Sequence, residues 1–369
     1  MKLVSSTIAA WGMLAALALE GCQDATRPLG PTPMMQQLTT APAPLVPRII
    51  APRATDPAID WAPAVNPQLF YHYVWVDPTR KPNGKVLVFL PGTGARPGGA
   101  QLLEQEAARL GYRVIGLMYQ NSVAVVDVCG GSPDPECSGN MRLEIIDGVD
   151  RSPGVDVTPA NGIENRLTKL LLYLAAQYPD EEWSRFLEDG GPRWSRIAVA
   201  GHSQGAGQAA LIGKIHHVKR VIMFGGPVDA RVPGEIDAWI SIGKTPAAKY
   251  FALFHVRDHF APTIVPNLVA LGLDRFGAPV MEENSEPPYG GTHILVTDLE
   301  PQGGYAIPNP HLSEAADRWT PLGPDGRPLL RYAWRYLVGE RSEQHDDNDD
   351  EAEVSKQSSR EARTERGAR

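Results

Sequence analysis

The sequence predicts an α/β fold, a mostly parallel central sheet with helices on both faces, and three observations carry that expectation. Short runs such as residues 86–90 and 197–200 are apolar at every position, as strands covered on both faces are, where a half-solvated strand would alternate. Other segments have helical periodicity, clearest at 165–178, where Leu167, Leu170, Leu171 and Leu174 fall on one face. The two kinds of segment alternate along the chain across glycine-bearing turns, the order that parallel strands joined by crossover helices require.

Taken in order, residues 69–76 set Leu69, Tyr71, Tyr73 and Trp75 against their neighbours as a half-buried strand does, and Pro82-Asn83-Gly84 turns the chain. The apolar strand 86–90 leads to a helix over 102–110 and a buried strand over 113–118. Residues 119–162 read as a long polar loop. After helix 165–178 come a strand at 196–200, a helix from Gln204 to about His216, and strands at 220–224, 250–256 and 293–299. A closing helix spans 329–337, where Trp334 and Tyr336 offer aromatic packing.

With 369 residues, 43% hydrophobic and 21% charged, the chain can bury one large core or two small ones. A formal net charge of -8 gives a nucleic-acid partner no electrostatic support.

The two ends differ from the middle. Lys2 followed by the apolar stretch 8–19 has the form of an export signal, too short to span a bilayer comfortably. Leu19-Glu20-Gly21-Cys22 resembles the lipobox of bacterial lipoproteins, which implies a signal segment over 1–22 cut just before Cys22, lipidation of that cysteine, and anchoring of the chain to a membrane. Gln23 after the cysteine implies the outer membrane in a Gram-negative cell, and a plain secretory signal cleaved nearby or an uncleaved anchor are the other readings. Residues 23–67 are dense in Pro, Thr and Ala and read as an extended linker, which leaves 68–338 as the folded domain. Residues 339–369, with the run His345-Asp346-Asp347-Asn348-Asp349-Asp350-Glu351, read as a charged, disordered tail that lacks the glycine and spaced ligands of a calcium loop. Export makes a disulfide the expected fate of Cys129 and Cys137, and no further Cys or His stands beside them at metal-ligand spacing.

Chemistry concentrates at Gly201-His202-Ser203-Gln204-Gly205, a G-x-S-x-G pattern. An apolar strand precedes it and the small residues 205–210 follow, so the serine stands on a strand-turn-helix connection. Glycines two positions either side of it leave room for a strained backbone at Ser203, and the free N–H groups of the helix start face the place where negative charge would develop.

This segment resembles the nucleophile elbow of the α/β-hydrolase superfamily, and the order of elements agrees over most of residues 69–337. The resemblance implies a serine hydrolase with Ser203 as nucleophile and the Gln204 N–H as one oxyanion donor. The second donor is expected in Leu90-Pro91-Gly92-Thr93-Gly94, from Thr93 or, failing that, Gly94. The base must follow the last strand, which favours His311 over His293; the acid is Asp258, with Asp229 one strand earlier as the alternative. His202, His255 and His259 are expected to pack around the site, and His216 and His217 to end a helix. The implied reaction is hydrolysis of a small-molecule or lipid ester through an acyl-enzyme, with neither metal nor organic cofactor. A cutinase-like polyester depolymerase is the nearest alternative, and a lipoprotein that only binds a ligand on this scaffold is the alternative of a different class.

Overall fold

The structure is a computed structural model that describes residues 45–60, 70–232, 234–241 and 243–339. The signal segment 1–22 with Cys22, residues 23–44 and 61–69 of the predicted linker and first strand, and all but the first residue of the charged tail lie outside the described residues.

The strands in chain order are β1 (Arg48–Ile50), β2 (His72–Trp75), β3 (Val86–Leu90), β4 (Arg113–Gly116), β5 (Leu187–Glu188), β6 (Gly191–Pro192), β7 (Ile197–His202), β8 (Arg220–Phe224), β9 (Tyr250–His255), β10 (Val280–Met281) and β11 (Ile294–Thr297). The helices are α1 (Pro52–Thr55), α2 (Gln101–Arg109), α3 (Val125–Cys129), α4 (Cys137–Asp147), α5 (Ile163–Gln177), α6 (Gln204–Ile215), α7 (Ala261–Ala270), α8 (Asn309–Ser313) and α9 (Arg331–Val338). Apart from the β5-β6 hairpin the strands form one sheet in the order β1-β2-β4-β3-β7-β8-β9-β11-β10. The pairs β1-β2 and β2-β4 are antiparallel and every later neighbour is parallel. This is the predicted fold class, and the crossover order is that of the α/β-hydrolase fold.

The apolar runs explain the layering. In β3, Val86, Val88 and Leu90 point into one core, with α4, α5, α6 and α7, while Leu87 and Phe89 point into a second, with α2 and α9. Strand β8 splits the same way, Val221 and Met223 on one side, Ile222 and Phe224 on the other. A polar residue at any of these positions would sit inside one core or the other, hence the unbroken hydrophobicity.

Three regions depart from the sequence reading. Residues 48–50 were expected in the linker but pair with β2, and Ile50 and Ile59 are buried; proline density marks a broken chain path without excluding an edge strand. Residues 119–162 are not one polar loop: they carry α3 and α4, tied by the Cys129–Cys137 disulfide with Cα atoms 5.6 Å apart. The α4 pattern was hidden because its buried face includes Ser138, Arg142 and Glu144 beside Met141 and Ile145, and those polar groups find internal partners. Helix α7 was missed because Pro262 and Pro266 argue against a helix, yet the first lies in its opening turn, where a proline costs no hydrogen bond.

Parallel pairing of β3, β7, β8 and β9 brings their carboxyl ends to one edge of the sheet. The loops leaving that edge begin at Pro91, Ser203, Gly225 and Val256, and the singled-out residues gather there.

Candidate active site

Ser203 is the single residue between β7 and α6, and its backbone takes φ 54° and ψ −117°, a conformation L residues rarely hold. Its neighbours permit it. A Cβ on Gly201 would strike the carbonyl of Gly205, and a Cβ on Gly205 would strike the carbonyl of Leu90 at the end of β3. Ser203 N–H donates to Phe224 O at 2.8 Å, fixing the turn to β8.

His311 lies on α8, beyond β11, and is buried. Its Nδ1 is 2.7 Å from Asp258 Oδ2, so Nδ1–H donates to the carboxylate and Nε2 is the ring nitrogen left for another partner. Among the described residues Nε2 has no hydrogen-bond partner. The other oxygen of Asp258 accepts from Phe260 N–H at 2.8 Å. Ser203, His311, Gly92, Thr93 and Gln204 all line one cavity of about 290 Å³, with no hydrogen bond between the serine hydroxyl and the imidazole in this state.

The competing residues are engaged elsewhere. Asp229 forms a fully buried, two-pronged ion pair with Arg142, Nε to Oδ2 at 2.5 Å and Nη2 to Oδ1, and also accepts from Trp239 Nε1 at 3.0 Å. His293 stacks between Phe251 and Phe276, with ring centroids at 4.0 and 3.9 Å, and Nδ1 donates to Tyr250 O; burial pushes it down to about 4. It opens β11 at the sheet's opposite edge, far from Ser203 in the topology.

The two expected oxyanion positions are built differently. Neither Thr93 N–H nor Gln204 N–H has a partner among the described residues, whereas Gly94 N–H already donates to Asn121 O at 2.9 Å, which removes Gly94 as a donor. Asn121 also donates through Nδ2 to Gly92 O (2.6 Å) and Ala95 O (2.9 Å), so one buried side chain holds the whole 92–95 turn. Gln204 Oε1 accepts from Thr93 Oγ1 at 2.8 Å and from Val125 N–H at 3.2 Å, tying the turn to α6 and α3. Arg142 reaches the same helix, donating to Gln204 O at 2.9 Å; a Cβ on Gly207 would occupy the guanidinium's place.

Around His311 the other histidines pack as expected. His202 Nε2 donates to His311 O at 2.8 Å, and burial followed by the neighbouring His311 pushes it down to about 3, so it stays neutral and holds the α8 backbone. His255 Nε2 donates to Leu299 O and Nδ1 accepts from Arg257 N–H, and burial lowers its pKa. His259 lies beside Asp258 at 3.6 Å, its pKa also lowered chiefly by burial. At the end of α6, His216 pairs with Glu164 at 2.5 Å and His217 meets Lys244 O at 3.4 Å.

Sequence reasoning missed Glu314. It is fully buried, one oxygen accepts from His255 N–H at 2.7 Å, and the other has no partner. A Cβ on Gly225 would stand 2.7 Å from that oxygen and 3.0 Å from the His311 ring, so the carboxyl and the imidazole close in on one glycine. Burial, then the charge of Asp258, holds the Glu314 carboxyl well above the usual range, which favours its uncharged form. Its place three residues after His311 was the signal available. Asp258, His311 and Glu314 each bring an atom within 4.8 Å of the others, a spread that could hold a cation. His311 Nδ1 is engaged by Asp258, and burial favours the uncharged form of Glu314, a poor donor set for a metal.

No family model matches the chain, and neither does any curated protein sequence. Solved structures similar to it include TT1662 from Thermus thermophilus (14% identity, 62% of this chain and 83% of that one, TM-score 0.31). An acetyl ester-xyloside bifunctional hydrolase from Caldicellulosiruptor lactoaceticus is similar at 12% identity over 70% and 87%, TM-score 0.37. A sugar hydrolase (YeeB) from Lactococcus lactis is similar at 15% identity over 66% and 89%, TM-score 0.32. Likenesses of this size leave the fold assignment to the strand order itself.

Proposed function

We propose that the protein is a serine hydrolase that cleaves carboxylic esters through Ser203, His311 and Asp258. The observation that carries this reading is the 2.7 Å Asp258–His311 contact, in an imidazole that lines one cavity together with Ser203 and whose buried Nε2 has no hydrogen-bond partner among the described residues. In the proposed sequence His311 Nε2 takes the hydroxyl proton as Ser203 Oγ bonds to the ester carbon. The oxyanion is met by the N–H groups of Gln204 and Thr93. The C–O bond to the alcohol then breaks, and His311 passes its proton to the leaving oxygen. Water repeats the cycle on the acyl-enzyme, with His311 again the base, and releases the acid. Asp258 holds the Nδ1–H tautomer and stabilises the imidazolium.

The test is labelling by a fluorophosphonate probe and turnover of short-chain nitrophenyl esters. Wild type should label and turn over, while Ser203→Ala should do neither and His311→Ala should lose turnover; a folded, unlabelled, inactive wild type overturns the reading. We propose further that Cys22 is lipidated and residues 23–44 tether the domain at the cell envelope, in which case Cys22→Ala shifts the protein from the membrane to the soluble fraction.

A further inference from the structure

Across the 92–95 turn from Ser203 lies a larger cavity of about 680 Å³. It shares Gly92, Thr93, Ala95, His202 and Leu312 with the serine's cavity, so the two meet at the turn. Its walls are mainly apolar, with Tyr73, Phe89, Leu312, Ala315 and Trp319 among them. Two guanidiniums, Arg96 and Arg318, also line it. Arg96 lies over the Phe70 ring at 4.9 Å and Arg318 over the Trp319 ring at 5.1 Å, which limits the freedom each side chain has to lose on binding. Both are exposed, and among the described residues neither has a carboxylate within ion-pair distance.

Among the described lining residues the one carboxyl, Asp317, is turned to α2 and not to the arginines. Its two oxygens accept from Gln101 N–H and Leu102 N–H at 3.0 Å each, capping α2, and burial raises it to about 6. Those contacts also occupy the amides of the helix start, so attraction for an anion here comes from the two arginines.

We propose that this cavity binds the part of the substrate remote from the scissile bond, and that this part is an apolar chain bearing a carboxylate. An apolar wall whose margin carries two cations without an ion-pair partner among the described residues fits an amphiphilic anion: the chain is desolvated, and the carboxylate accepts charge-assisted hydrogen bonds from guanidinium. The inference rests on the serine-hydrolase reading for its catalytic meaning, though binding can be read without turnover.

The experiment compares octanoate with octanamide, equal in chain and differing in charge, first as inhibitors of nitrophenyl ester turnover at low salt. Wild type should prefer octanoate by about tenfold or more, a preference that shrinks with added sodium chloride and collapses toward unity in Arg96→Gln/Arg318→Gln. Arg96→Glu/Arg318→Glu should invert it. The same pair titrated calorimetrically into Ser203→Ala reports the ligand class independently of chemistry. Equal affinity for the two compounds in wild type, or a preference untouched in both double variants, overturns the proposal. If no ester is turned over but calorimetry retains the charge preference, the hydrolase reading falls and the binding site stands.

Discussion

Two buried carboxylates, Asp258 and Asp229, stand in loops leaving the same edge of the sheet, and the order of residues in the chain admits either as the acid of a triad. What separates them is their company. Asp229 is saturated by the permanent cation of Arg142 and the Trp239 indole, a closed structural unit that also grips the first turn of α6. Asp258 meets an imidazole that lines the serine's cavity and whose second nitrogen has no partner among the described residues. Position at the edge supplies candidates; a partner with an unused valence toward the substrate distinguishes a working acid from a structural one.

The largest effects should divide these two carboxylates. Asp258→Asn should lower turnover on the order of 10³–10⁴-fold, because an amide cannot hold the Nδ1–H tautomer, with little change in melting temperature. Asp229→Asn should do the reverse. Leaving Arg142 buried without its counter-charge costs about 3–5 kcal/mol, a fall in melting temperature on the order of 10 °C for a domain of this size. If Asp229→Asn abolished turnover at unchanged melting temperature, the roles would have to be exchanged.

Glu314 sharpens the comparison, because it is a buried acid of the site whose uncharged form burial favours. Glu314→Gln, also neutral and able to accept from His255 N–H, should leave stability in denaturant nearly unchanged, whereas Glu314→Ala should cost about 1–3 kcal/mol through the orphaned amide and the cavity left behind. Equal losses in the two variants would mean that Glu314 is ionised. The smallest effect concerns His202. Its folded pKa is about 3 against an ordinary 6.5, so between those values the unfolded chain binds more protons and stability declines as pH drops through the window. In His202→Asn the slope of unfolding free energy against pH between 4 and 6 should flatten by up to about 1.4 kcal/mol per pH unit, seen in denaturant titrations at each pH. An unchanged slope would mean that His202 is not neutral in the folded protein.

Much of this was legible before any coordinates. The strands at 86–90, 220–224 and 250–255 announced themselves because burial on both faces keeps their interior positions apolar, Arg220 and His255 standing only at strand ends. The serine turn was legible because its backbone demands glycines on both sides. Helices α4 and α7 were not: a buried Arg142 or an opening-turn Pro262 looks like a loop residue until its partner or its position in the helix is known. Asn121 and Glu314 were invisible for the same reason, since nothing local marks a side chain whose partners lie far along the chain or across a turn.

The sequence by itself determined the layering and the strained serine, because periodicity and steric room are local properties written into neighbouring residues. Only the tertiary structure decided which carboxylate faces His311, which amide at the 92–95 turn stays free, and that two arginines border an apolar cavity beside the serine. Those outcomes depend on distances between residues far apart in the chain, and hydrogen bonding and charge pairing are settled only where the fold brings such residues together.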